Sequence, residues 1–303
     1  MDMHVTPEWA AVVVNYHSGP VLEECVAALL ADVSAGRVEL VVVDNGSDAH
    51  EMDDLRDRHH DITVLAPGAN LGYARAANLG IAATTAPIVA VINPDAILEF
   101  GSAARVLAAF RSDDRVAVVG PTITNPDGTV YPSARTAPGA VVAVGHAVFG
   151  AVAPRNRFTR SYRELDADST AAREVDWVSG AALWFRRSAL DRAGGWDERF
   201  FLFMEDVDVC RVVRATGGVV RFEPSARVMH LVGTSRAAAP VRSIVLHHRA
   251  AYRYADKWWR GSQRLALPAA GAFLAARAGV LTSASVLHRP VRRRRPKTRA
   301  ATG

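Results

Sequence analysis

Glu205, Asp206 and Asp208 put three acids into four positions, directly after the aromatic run Phe200, Phe201 and Phe203 and just ahead of a helix-period apolar set, Val209, Cys210, Val212 and Val213. Acids in the first turn of a helix are favoured by its macrodipole by only about 0.3–1 kcal/mol each, so decoration of a helix start is the plain account. A carboxylate that follows large apolar side chains is partly desolvated, which is costly, and function explains that placement better.

Two further acids stand where apolar runs stop abruptly: Asp44 after Glu39–Val43, and Asp95 after Ile88–Ile92. In an open parallel sheet, ligands sit beyond the carboxyl ends of the strands, so both acids belong to one crevice. With Glu205, Asp206 and His230 around the same crevice there are several oxygen donors, one imidazole and no thiolate, a set suited to a hard divalent ion such as magnesium or manganese. An ion that also grips a diphosphate needs one or two protein ligands, and Asp95 and His230 suffice.

The elements that must position these groups alternate. A buried strand over Ala10–Tyr16, a helix opened by Ser18-Gly19-Pro20 and running to Ala31, and a strand over Glu39–Val43 make a parallel unit. A helix over Met52–His59, a short strand over Ile62–Leu65, a helix over Tyr73–Thr84, the strand Ile88–Ile92, a helix over Ser102–Arg111 and a strand over Val116–Val119 complete a nucleotide-binding half. Pro126-Asp127-Gly128 signals a turn. Residues 137–175 read as loops and short helices. A strand over Val178–Arg186, a short helix over Arg187–Arg192, a break at Gly194-Gly195, the acid-bearing helix ending near Gly217-Gly218, and strands Val219–Phe222 and Arg227–His230 follow. The fold class is α/β, Rossmann-like, with a mostly parallel central sheet flanked by helices. No GxGxxG follows the first strand and no GxxxxGK[ST] occurs, which excludes the usual dinucleotide oxidoreductases and P-loop ATPases.

The 303 residues carry a net charge of +5, unevenly. No acid follows Asp256, whereas eleven cations do, from Lys257 to Arg299; setting those eleven against +5 leaves −6 on residues 1–256. The body is acidic and the tail basic. That distribution, with no RNP-type aromatic motif, argues against nucleic acid as the partner. Cys25 and Cys210 sit among apolar helix positions and read as small buried hydrophobes in a reducing compartment. No run of 18 uninterrupted apolar residues and no leader pattern occurs, so the expected location is the cytoplasm. Leu265–Leu287 is apolar but interrupted by Pro268, Gly271, Arg277 and Gly279. With Trp258, Trp259 and the Arg292–Arg295 cluster it is expected to lie on an anionic membrane surface, not to cross it.

VVVDNGS (41–47), NLGYARAAN (70–78), NPD (93–95), the SGA…GGWDERFF…MEDVDVC run and HLVGTS (230–235) resemble, in the same order, the family 2 inverting glycosyltransferases of GT-A fold. The resemblance covers about residues 10–236. It implies a GT-A domain over 1–236 and leaves 237–303 as a helical, basic, membrane-associating extension. More narrowly, PDGTVYPSAR (126–135), AVFGAVAPRNRFTRSYR (147–163) and the basic tail resemble the actinobacterial rhamnosyltransferases. These move L-rhamnose from dTDP-rhamnose to N-acetylglucosamine on a polyprenyl diphosphate, building the linker between peptidoglycan and arabinogalactan. The expected partners are therefore a nucleotide-sugar donor, a polyprenyl-diphosphate-linked acceptor and the inner face of the plasma membrane. A transferase using another nucleotide sugar, and a silent nucleotide-sugar-binding module, are the alternatives.

The resemblance also implies roles. Asp206 matches the base that takes the proton of the acceptor hydroxyl, with Glu205 beside it. Asp44 and Asn45 match the contacts to the donor nucleoside, and Asn70, Gly72, Arg75 and Asn78 the segment against its diphosphate, at a helix start that offers backbone donors. Asn93-Pro94-Asp95 stands in place of the family's Asp-x-Asp, with Asp95 as metal ligand and Asn93 left to the ribose. His230, with Gly233 and Ser235, matches the second metal or diphosphate contact. Trp177, Ser179, Gly180, Trp196, Asp197 and Glu198 are expected to line the acceptor side, although plain core packing serves the tryptophans equally well.

Overall fold

The computed structural model describes residues 7–47, 49–135, 142, 153, 155–163, 169–231 and 240–287. The chain divides into two units, Met1–Ala237 and Ala238–Gly303.

In the first unit the β-branched runs become strands, β1 (Trp9–Asn15), β2 (Val38–Asp44) and β4 (Ile88–Ile92) largely buried and the edge strand β3 (Thr63–Leu65) part-exposed, paired in parallel in the order β3-β2-β1-β4. Between them run α1 (Pro20–Ala31), α2 (Ala49–Arg58) and α3 (Tyr73–Ala82). Strands apolar along their whole length need cover on both faces, and helices supply it. After β4 come β5 (Ala96–Leu98), α4 (Ser102–Ser112), β6 (Val116–Thr124), β7 (Val130–Tyr131) and β8 (Ala134–Arg135). Then follow α5 (Arg157–Arg163), β9 (Arg173–Glu174), β10 (Trp177–Val178), β11 (Ala182–Arg186), α6 (Arg187–Ala193), α7 (Glu205–Ala215) and β12 (Val219–His230).

β11 runs antiparallel between β4 and β6, so those two point the same way, and β12 lies parallel to β6. Six strands of the ten-stranded sheet therefore share one direction, as expected of a mostly parallel sheet. Trp9, Trp184 and Phe185 are fully buried in it.

Four details differ from the sequence reading. β5 was not foreseen; it is three residues long and pairs antiparallel with the end of β12, His230 opposite Ala96. β6 continues five residues past Val119 to Thr124, through Gly120 and Pro121, which looked like a break. Pro121 is tolerated because it faces the register shift in β12 between Glu223 and Arg227, where the ladder is already irregular. The stretch expected as one strand from Val178 is two, β10 and β11, separated by Ser179-Gly180-Ala181. Conversely, the two strands expected over 219–230 are one bulged strand.

The second unit holds α8 (Pro240–Trp258), a 3-10 turn over Gly261–Ala266 and α9 (Leu267–Leu287), with α8 and α9 packed together. α9 runs unbroken through Gly271, Arg277 and Gly279, and Pro268 sits in its first turn, where a missing N–H costs nothing. His248 is buried; its Nδ1 lies 2.7 Å from the Ile244 carbonyl and its Nε2 2.7 Å from Arg277 Nη1. Beyond the expectation from uninterrupted runs, the 26-residue stretch Gly261–Val286, which contains an 18-residue window of mean hydropathy 1.5, is long and apolar enough to cross a membrane by length and composition. Gly233, Ser235 and Arg292–Arg295 lie outside the described residues.

Candidate active site

The site is traced by one connected path across the carboxyl ends of β2, β1 and β4. Asp44, buried at the end of β2, accepts from Asn15 Nδ2 at 3.2 Å and from the Ser47 amide at 3.2 Å. Asn15, at the end of β1, also donates to Ser47 Oγ at 3.1 Å. A cavity of about 280 Å³ opens beside them, lined among others by Asp44, Ser47, Met52, Arg56 and Asn70. From there Asn45 links across to the 70–72 turn: its Nδ2 donates to Asn70 Oδ1 at 3.2 Å and its Oδ1 accepts from the Leu71 amide at 2.7 Å.

Gly72 begins α3 with φ +85°, and a Cβ there would lie 2.7 Å from the Phe201 ring and 2.8 Å from the Phe201 carbonyl. Only glycine allows that approach. It lets the Tyr73 amide donate to the Phe201 carbonyl at 2.7 Å, so the first amide of α3 holds the aromatic run in place instead of standing open for a phosphate.

The aromatic run delivers the acids. Phe203 and Met204 both adopt left-handed backbone, φ +72° and +67°. That costs bulky residues on the order of 1–3 kcal/mol each and is a feature of functional sites. α7 then starts at Glu205, without a side-chain cap on its Met204 N-cap. Asp206 is part-exposed; its Oδ2 accepts from the Gly180 amide at 2.9 Å and its Oδ1 from the Val207 amide at 2.9 Å. Burial pushes the Asp206 carboxyl above the usual aspartate range, against the two amides and the Arg135 charge, which pull it down. Glu205 and Asp208 are buried in the same turn.

The same Gly180 segment joins Asp206 to the third group. Tyr73 Oη donates to the Gly180 carbonyl at 3.4 Å, and the neighbouring Ala181 carbonyl accepts from the Asn93 amide at 2.9 Å. Asn93 Nδ2 lies 3.4 Å from His230 Nε2, which in turn is 3.0 Å from Asp95 Oδ1. The unforeseen β5 brings Asp95 and His230 together: its pairing with β12 sets the two at one corner, where the Leu231 amide donates to the Asp95 carbonyl at 2.8 Å. Their side chains are 14% and 16% exposed, open enough to meet a ligand. A carboxylate oxygen and an imidazole nitrogen converging in this way fit a hard divalent cation. Among the described residues no third His, Cys, Asp or Glu joins them, so the remaining ligands of such an ion would come from substrate and water. Tyr73, which the sequence reading placed at a helix start but gave no role in the site, stands among these acids: burial and then Glu205, Asp206 and Asp95 push its hydroxyl well above the ordinary tyrosine value.

Several expected residues are engaged elsewhere. Asn78 uses its whole amide on the 196–198 loop: Nδ2 donates to the Trp196 carbonyl at 2.9 Å and to Glu198 Oε1 at 3.1 Å, and Oδ1 accepts from the Trp196 amide at 3.0 Å. Arg75 faces Glu198 at 3.8 Å, and Asp197 is held by Arg199 at 2.9 Å. Trp196 is buried edge-on against Tyr73 and Phe185, and Trp177 is buried with Arg135 over its ring at 4.9 Å. Both tryptophans are packed in the core. Ser179 and Gly180 remain part-exposed beside Asp206. Cys25 and Cys210 are both fully buried, as expected.

The chain belongs to the glycosyltransferase-like family 2, which it matches over residues 7–252, and it is a glycosyltransferase. It is 36% identical over 271 residues to the N-acetylglucosaminyl-diphospho-decaprenol L-rhamnosyltransferase of Mycobacterium tuberculosis, covering 84% of this chain and 88% of that one. It is also 31% identical over 199 residues to the pre-mycofactocin glycosyltransferase of the same organism, covering 64% of this chain and 37% of that one. Among solved structures it resembles a mannosyltransferase from Pyrobaculum calidifontis in complex with GDP-Man and Mn2+, with a TM-score of 0.59 at 17% identity over 95% of this chain and 77% of that one. It likewise resembles GalNAc-T7 with UDP, GalNAc and Mn2+, with a TM-score of 0.55 at 15% identity over 75% of this chain and 44% of that one. The fold is GT-A.

Proposed function

We propose that this chain transfers L-rhamnose from dTDP-L-rhamnose to N-acetylglucosaminyl-diphospho-polyprenol, with inversion at the anomeric carbon, in assembly of a cell-wall linker. What carries the catalytic part of this reading is Asp206: a part-exposed carboxylate fixed by two backbone amides and joined through Gly180-Ala181 and Asn93 to the Asp95–His230 pair. The near full-length likeness to the mycobacterial rhamnosyltransferase supports the choice of substrates.

Inversion requires a single displacement. Asp206 accepts the proton of the acceptor hydroxyl while that oxygen attacks the anomeric carbon, and the bond to the nucleoside diphosphate breaks on the opposite face, its electron pair leaving with the diphosphate. The burial that raises the Asp206 pKa strengthens it as a base, because a stronger base takes the proton earlier along the attack. A magnesium or manganese ion on Asp95 and His230 would neutralise charge on the departing diphosphate. Asp44 and Ser47, which line the 280 Å³ cavity, hold the nucleoside. Ser179 and Gly180 border the acceptor. The lipid-linked acceptor requires a membrane surface, and Leu265 in the 3-10 turn with Val280 and Val286 on α9, exposed at 83%, 69% and 55%, present apolar side chains for the inner face of the plasma membrane.

Asp206→Asn tests the core of the reading. Transfer should fall by about 10³-fold or more, within the range supplied by general-base catalysis and its geometry, while donor affinity measured by calorimetry stays within about twofold. Wild-type turnover in that variant would remove Asp206 from the base role.

A further inference from the structure

Arg135, at the end of β8, is a buried cation that the reaction so far leaves unused. It is 9% exposed, its Cζ lies 5.2 Å from the centre of the Tyr131 ring and 4.9 Å from that of Trp177, its Nε donates to the Pro132 carbonyl at 3.0 Å and its Nη2 to the Tyr131 hydroxyl. Enclosing a guanidinium is costly unless its donors are engaged. An apolar side chain would serve better if filling the space beside Trp177 were the only need.

The placement of β8 supplies a reason. β8 pairs antiparallel with β10, Arg135 opposite Trp177 and Ala134 opposite Val178, and the pairing continues as the Ser179 amide donates to the Ser133 carbonyl at 2.9 Å. The next residue, Gly180, donates its amide to Asp206 Oδ2 at 2.9 Å. α7, which carries Asp206 in its first turn, packs on β10. The clamp of Arg135 on Trp177 therefore lies three residues before the amide that fixes the base.

We propose that Arg135 is a positioning residue for Asp206: its stack on Trp177 fixes the Ser179-Gly180 segment against the carboxylate, and its guanidinium sets a permanent positive charge on that side of it. The inference rests on Asp206 being the base. Among the described residues, the titratable groups about Asp206 include Arg135 from β8, Tyr73 from the start of α3, and Glu205, Asp208 and Cys210 on its own helix. Arg135 is the cation among them.

Asp206 accepts a proton only when ionised, and a nearby cation favours the ionised form. Arg135→Gln should therefore move the acidic limb of the kcat profile to higher pH by about one unit, so that turnover on that limb falls about tenfold, with KM for the donor within about twofold of wild type. Arg135→Lys keeps the charge and loses the planar fork, so its limb should stay where wild type has it, while kcat on the plateau falls about tenfold. Either variant is measured well below its melting midpoint, and the lysine variant decides alone if the glutamine variant does not fold. An unmoved limb in folded Arg135→Gln, or wild-type kcat in Arg135→Lys, overturns the proposal. Asp206→Asn is measured alongside: turnover in that variant would sink the base assignment itself, whereas its loss together with an unmoved Arg135→Gln limb would sink only the role of Arg135.

Discussion

Gly180→Ala probes the geometry of the base with a single methyl group. Gly180 has an ordinary backbone conformation, so alanine introduces no dihedral strain, but the new Cβ would lie 3.0 Å from Asp206 Cβ, 3.1 Å from its Oδ2 and 3.3 Å from its Cγ. Unstrained carbon contacts lie at about 3.5–4.0 Å, so the carboxylate must retreat by roughly 0.5 Å, and its 2.9 Å bond from the Gly180 amide lengthens with it. A misplacement of 1 Å costs about 10²-fold in a positioned reaction, so half of that predicts about a tenfold fall in kcat, or ~1.4 kcal/mol on the barrier. The added methyl touches neither Asp44 nor Asn45, the residues proposed for the donor, and KM for the donor should stay within about twofold. Steady-state transfer to a short-chain lipid acceptor, with melting followed in parallel, reads all three quantities. A kcat within a factor of two of wild type at unchanged stability would refute the claim that the Gly180 amide holds Asp206 where the acceptor proton must go.

Asn78→Ala removes three hydrogen bonds from the 196–198 loop. Stability should fall by about 1–3 kcal/mol in denaturant titration, with donor affinity unchanged; a tenfold loss of donor affinity at full stability would restore Asn78 to the nucleotide. Burial pushes the Cys25 and Cys210 thiols up to about 12, leaving about one part in ten thousand as thiolate at pH 8. Iodoacetamide should therefore add nothing to the native protein and two labels per chain once it is unfolded in guanidinium, whereas rapid native labelling would contradict the packing of α1 and α7. Removing residues 267–303 should abolish co-sedimentation with phosphatidylglycerol vesicles and leave donor binding intact; undiminished sedimentation would place the membrane contact elsewhere.

The strand–helix alternation was legible because buried parallel strands are written as β-branched runs that stop at polar residues, and β1, β2 and β4 all do so. Asp44, Asp95 and Asp206 were singled out for the same reason, as acids at abrupt ends of apolar stretches. β5 was not legible, since three residues carry no periodicity, yet its pairing with β12 is what sets Asp95 against His230. The engagement of Asn78 and Arg75 was equally hidden: each has the chemistry of a binding residue, and only the chain's return at Gly194-Gly195 brings it the 196–198 loop as a partner, whereas Asp197 is held locally by Arg199. Arg135 lay in a quoted stretch, YPSAR, without a role. A lone arginine after a turn reads as surface, and its burial depends on Trp177, 42 residues further on and paired with it through β8 and β10.

The central claim is tested most directly by offering the purified full chain, with magnesium, an N-acetylglucosaminyl-diphospho-polyprenol acceptor and one donor per reaction: dTDP-L-rhamnose, UDP-galactose, UDP-galactofuranose, UDP-N-acetylglucosamine or GDP-mannose. Lipid products are read by mass. The account predicts one deoxyhexose added to the lipid from dTDP-L-rhamnose and no product from the others. Transfer from a different donor, or no transfer from dTDP-L-rhamnose to this lipid by a protein that still binds the nucleotide, would contradict it.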